Sequence, residues 1–283
     1  MQYTNTVKNK IGLGANPVIK KIQNAVAKEQ ASTSATYVGV VTKTIYFMIL
    51  TAVGIALYYI LQPVLTGSGA ALVNVNSDVF QISLSMQATF VLGGAAILTL
   101  VTAIVSAFIQ SIVPVTGTIY VLSEGYLLAF VSDALRPEYR WMSITALLLT
   151  VVLVFTLLLL YCSKRIKVSH KFRMIISAVF LTLLIGSALT FVISFIPGLH
   201  GLSEAVSTIM ANPAISIGLS VFFVIVACLF LISDFDAVHE LVENRMDKKY
   251  EWSCAFGIAY TVLYLYLKIL ELLIEIFAKK SDV

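Results

Sequence analysis

The sequence predicts an all-α, polytopic membrane protein, a helical bundle of about seven transmembrane helices. Three observations predict it. Of the 283 residues, 59% are hydrophobic and only 12% charged, with a mean hydropathy of +0.94. So few charges cannot cover a water-facing surface. The apolar residues also gather into runs close to the roughly 20 residues that cross a bilayer core as helix. Those runs are too long, and alternate too poorly, for barrel strands, which leaves helices to satisfy the backbone in lipid.

Residues 1–43 form a polar tail carrying Lys8, Lys10, Lys20, Lys21, Lys28 and Lys43. Asn16-Pro17-Val18 opens a short amphipathic stretch, with Pro17 suited to a first helical turn. A basic tail of this kind serves as an orientation signal or as a contact for anionic headgroups. Its polarity, and the length of the apolar run after it, argue against a cleavable signal peptide. The transmembrane domain, 44–283, then carries spans at approximately 44–62, 88–110, 116–132, 141–161, 174–196, 214–233 and 252–277. The first ends at Pro63, and a loop containing Gly, Ser and Asn leads to the second. Gly93-Gly94 in that second span would let another helix approach closely. The third is the shortest, the fourth opens at Trp141, and the fifth ends at Pro197-Gly198. The sixth follows Asn212-Pro213, and the seventh opens at Trp252.

Basic residues set the expected orientation. With the N-terminus in the cytoplasm, the tail, the loop from Lys164 to Arg173 and the loop holding Arg245, Lys248 and Lys249 are internal. That arrangement places 14 of the 19 Lys and Arg residues inside and four outside (Arg136, Arg140, Lys279 and Lys280), with Lys268 inside the last span. The expected location is a membrane, multi-pass, with the N-terminus cytoplasmic and the C-terminus external. An odd span count would make any repeat of three helices an inverted one.

Ionisable groups within spans are costly and mark candidate functional positions. Glu124 sits mid-way along the third span, and Asp234 and Asp236 close the sixth. Being two apart, the aspartates point about 200° apart on a regular helix. Lys268, Glu271 and Glu275 share one face of the seventh, where Lys268 can pair with Glu271. Cys162, Cys228 and Cys254 form no CxxC pair. His239-Glu240-Leu241-Val242-Glu243 lacks the second histidine of a zinc-protease helix. No GxSxG, P-loop or dinucleotide fingerprint occurs, so no enzyme is expected. Nor does any aromatic-basic pattern point to nucleic acid.

Several segments together resemble the Bax inhibitor (YccA-like) membrane protein family, its bacterial branch in particular. They are Asn16-Pro17-Val18 with Tyr37 to Thr44, Tyr120 to Tyr126, Ser233-Asp234-Phe235-Asp236, Tyr250-Glu251-Trp252, and Leu265-Tyr266-Leu267-Lys268. The resemblance implies a seven-helix bundle with the last helix central. It further implies a pH-sensitive calcium or cation leak channel, or a non-conducting regulator of stress, cell death or membrane proteolysis that binds a membrane partner such as a protease complex. In the calcium-leak members a carboxylate on the sixth helix pairs with one on the seventh. Asp234 matches the first, but the second position holds Lys268. Under the resemblance either Glu271, one turn on, supplies the acid, with Asp234 and Glu271 as the metal ligands, or Asp234 and Lys268 form a salt bridge. Glu251 is the substitute acid if neither comes near. No cofactor beyond a calcium ion is expected, and the partners are the bilayer, calcium or protons, and a membrane protein.

Overall fold

The computed structural model describes residues 34–66, 71–163, 169–193 and 212–277. The basic tail through residue 33, Lys164, Arg165, Lys167, the fifth span beyond residue 193, Lys279 and Lys280 lie outside the described residues. Seven long helices occur among them: α1 (Tyr37–Thr66), α2 (Met86–Phe108), α3 (Val113–Ala134), α4 (Trp141–Cys162), α5 (His170–Ile193), α6 (Pro213–Glu243) and α7 (Glu251–Phe277). All except α5 are long and apolar enough, over described residues, to cross a membrane. The 24 residues of α5 reach roughly 36 Å. Lipid-facing surface is plain on α4, where Ile144, Leu148, Val152 and Phe155 are each 61–65% exposed along one face.

Two helices outrun their expected spans. Thr36 caps α1, its Oγ1 accepting from the Gly39 amide at 3.0 Å, so the helix begins ahead of residue 44. It also runs through Pro63 to Thr66. Near a helix end, the missing proline N–H removes one bond and leaves little helix beyond it to disturb. Helix α6 continues past Ser233 to Glu243, because Asp234 and Asp236 find partners on neighbouring helices instead of ending it. Its start is capped by Asn212, with Pro213 in the first turn.

Contacts along the helices fix their directions. Tyr46 meets Thr118 and Tyr58 meets Asp133, so α1 and α3 run parallel. Phe47 and Tyr120 meet Phe256, and Ser132 meets Tyr266, which sets α7 parallel to both. Asp234 meets Thr261, Phe223 meets Lys268 and Ser216 meets Glu275, so α6 runs antiparallel to α7. Helix α7 packs directly on α1, α3, α4 and α6, which makes the last helix the centre of the bundle. Two core clusters follow from this. One gathers α1, α3 and α7 around Phe47, Val121 and Phe256, and the other gathers α4, α6 and α7 around Met142, Leu231 and Leu270.

Close approach between helices occurs at α1 and α3. A Cβ at Gly54 would run into the Leu122 carbonyl, and one at Gly125 into the Thr51 carbonyl. The expected tight packing at Gly93-Gly94 is not seen: no described atom would meet a Cβ there. Between α1 and α2 the expected irregular loop holds an antiparallel hairpin, β1 (Ala71–Asn76) and β2 (Gln81–Ser85). It is tied to the α3–α4 connection by the Phe80–Leu135 bridge and by the Arg136 amide donating to the Val79 carbonyl at 3.0 Å. At the opposite end, Arg245 (φ 51°) reverses the chain after α6. The Met246 and Arg245 amides donate back to Leu241 and Val242, a Schellman ending. Asp247 then caps the turn into α7. The Lys249 amide, and secondarily the Lys249 ammonium, hold its carboxyl below the usual aspartate range.

Candidate functional site

A cavity of about 280 Å³ opens beside α7 at the end of the bundle where α1 begins. Ser106 and Gln110 line it from α2 and the turn after it, Ile176 from α5, Ser233 and Asp234 from α6, and Ser253, Gly257, Tyr260 and Thr261 from α7. The α7 residues recur at helical spacing, so one stripe of the central helix forms a wall. The lining is mixed, with a carboxylate and several hydroxyls among apolar groups.

Asp234 is the one carboxylate among the described residues of that lining. Its Oδ2 accepts from Thr261 Oγ1 at 2.6 Å. Gly257, one turn earlier on α7, leaves room for the carboxylate, since a Cβ there would stand 3.2 Å from Oδ1. Another lining group, the Ser253 hydroxyl, is buried with no hydrogen-bond partner among the described residues. Asp236 faces elsewhere, as its spacing from Asp234 requires, and accepts from the Tyr161 hydroxyl of α4 at 3.2 Å.

Glu124 is buried on α3, 8% exposed, with no hydrogen bond or ion pair among the described residues. Tyr120, one turn before it on α3, packs against Tyr260 on α7. The two tyrosine rings lie 5.4 Å apart. Tyr260 also lines the cavity.

The remaining candidates lie apart from this centre. Lys268 pairs with Glu271 at 2.6 Å and sits over the rings of Phe223 and Tyr264. It lies seven residues, about 10 Å, beyond Thr261 along an unbroken α7, and Glu271 lies about 15 Å beyond. Neither the Asp234–Lys268 bridge nor the Asp234–Glu271 pair is formed, because the antiparallel register sets Phe223, not Asp234, opposite Lys268. The metal site expected of Asp234 and Glu271 is not assembled, and the described residues hold no cluster of three His, Cys, Asp or Glu. Glu275, further along, accepts from Ser216.

Glu251 does not take the substitute role either. Its side chain is 0% exposed and is held by Lys43. The Thr36 amide donates to it at 2.8 Å and the Thr36 hydroxyl at 3.3 Å. Gly39 is needed beside it, because a Cβ there would collide with the carboxylate. Lys43 also lies over the Trp252 ring, 5.3 Å from its centroid. This clasp between the first and last helices joins residues 208 apart, so no local pattern announced it.

A family model described as Bax inhibitor 1 like matches residues 16–278, nearly the whole chain. The chain belongs to the Bax inhibitor 1 like family. No curated protein and no solved structure was found to match it. Membership of the Bax inhibitor 1 like family agrees with the resemblance noted from the helix-end motifs and with the bundle built around α7. Asp234 faces a threonine hydroxyl on α7, and Lys268 is paired with Glu271 within its own helix.

Proposed function

We propose that this Bax inhibitor 1 like protein provides a cation pathway linked to protons or calcium, with the cavity at Asp234 as its ion-handling site. The supporting observation is a single carboxylate set between two helices, on a cavity large enough for several waters. An acid at such depth is a functional group by default in a membrane protein. Under this reading the Lys43–Glu251 clasp is structural, and the protein lies in a bacterial plasma membrane with the α1 start on the cytoplasmic side.

The test is flux into liposomes holding the purified full chain, read with calcium and proton dyes across a pH series. Wild type should pass one of these ions, and Asp234→Asn should remove the pH dependence. Flux whose pH dependence survives Asp234→Asn would take the ion-handling role away from this cavity. A second reading is favoured by the pairing of Lys268 with Glu271, which leaves Asp234 without a carboxylate partner among the described residues. In it the protein does not conduct, and regulates a membrane partner such as a protease complex. Absence of any flux from wild type across the series selects this reading over the first.

A further inference from the structure

We propose that the pathway leaves the Asp234 cavity along one face of α7, closed by the ring of Tyr264 and opening to water beyond it at the Lys268–Glu271 pair. The proposal rests on the cation-pathway reading and gives it a gate and an outer mouth. Gly257, Thr261, Tyr264, Lys268, Glu271 and Glu275 follow one another at alternating steps of four and three, so they share one face of the central helix. The opposite face, with Ala255, Ala259, Leu270 and Leu273, is buried. Helix α6 answers the first face level by level. Asp234 meets Thr261 at 2.6 Å, the Phe230 and Tyr264 ring centroids lie 6.3 Å apart, and the Phe223 centroid lies 4.8 Å from the Lys268 ammonium. An acidic, an aromatic and a charged level thus follow in order from the cavity outward.

The charged level is the reason to place water there. Trp141 and Phe277, both exposed, meet edge to face at 5.4 Å and mark the membrane interface where α7 ends. Glu271 lies six residues, about 9 Å, inside that belt, and Lys268 nine residues, about 13.5 Å. At that depth the Glu271 side chain is still 46% exposed and that of Lys268 21%. An ion pair so exposed is too costly against acyl chains, so this face meets water. Between that water and the Asp234 cavity stands Tyr264. Its ring stacks on Tyr260 of the cavity lining at 6.5 Å and 10°, packs on Phe230, and has the Lys268 ammonium 5.7 Å from its centroid on the outer side. An aromatic constriction between polar levels sheds water and stops ions. Movement of the Tyr264 ring away from Phe230 is the opening step.

Two measurements on the full chain in liposomes test this. In a cysteine-free background, Glu271→Cys should react with a charged thiol reagent supplied on both faces of the membrane. Leu148→Cys, about 10 Å inside the same belt on the exposed face of α4, should not. Tyr264→Ala should raise cation flux about tenfold, the scale for a closed state that loses roughly 1.4 kcal/mol of ring contacts. Should Tyr264→Ala fail to fold by gel filtration, Phe230→Ala removes the other half of the aromatic level and carries the same expectation. Glu271→Cys as unreactive as Leu148→Cys overturns the aqueous mouth, and the proposal with it. Flux at the wild-type rate in folded Tyr264→Ala overturns the gate and leaves the cation-pathway reading standing. No cation flux from wild type or from Tyr264→Ala overturns both.

Discussion

Lys43 and Glu251 show how a buried charge is kept in this protein. Taking two ions out of water is costly, and the pair is tolerable only because Thr36 supplies further donors to the same carboxylate. Removing one partner leaves the other uncompensated. Lys43→Ala should therefore destabilise the bundle by about 3–5 kcal/mol, read as a fall in the detergent melting temperature. Lys43→Met combined with Glu251→Leu should recover much of that loss. If the single and double variants melt alike, the clasp contributes no coupling. Gly39→Ala should damage the same site from the opposite side, because its methyl group takes the space of the carboxylate.

At the scale of single helices, hydropathy reported the spans because bilayer thickness imposes one length on every apolar run. It reported their ends less well. Asp234 reads as the end of an apolar run, yet Thr261 accommodates it and α6 continues. The hairpin was missed although Gln81-Ile82-Ser83-Leu84-Ser85 alternates with a strand period, since glycine, serine and asparagine nearby read as an irregular loop. Glycine roles were equally illegible, because a helix contact depends on rotation about the axis as well as on composition. Gly125→Leu should force α1 from α3 and cost about 1–3 kcal/mol or more, whereas Gly93→Ala should leave the melt unchanged or slightly higher. Equal losses from both would show that the α1–α3 approach is not the tight contact.

Across the whole molecule, the alternating helix directions place the α1 start and the α7 end at opposite faces of the bundle. The basic residues then predict which face is internal. In a cysteine-free background, Asp78→Cys on the hairpin should react with an impermeant maleimide in intact cells, and Lys249→Cys only after permeabilisation. The reverse pattern would invert the assignment. The candidate residues themselves were legible as charges in apolar runs, but not their pairings. Which carboxylate meets which helix follows from the α6–α7 register, and that is set by the packing of the whole bundle. Hence Glu124 and Asp234 stood out as separate acids in the sequence, while Thr261, which meets Asp234, and Tyr260 of the cavity lining carried no signal.

The clasp also has a consequence in time. Lys43 is made 208 residues before Glu251, an interval of about 10–40 s at ~5–20 residues per second. Throughout that interval α1 must rest in the membrane with an unmatched ammonium, its four-carbon stem reaching for the headgroups. A ribosome stalled between α6 and α7 would leave behind six helices without their central one, Lys43 still unpaired and the Asp234 wall of α6 open. Such a fragment displays the marks by which incomplete membrane proteins can be told from finished ones. Arrival of the last helix completes the molecule in one step, filling the centre and closing the clasp together.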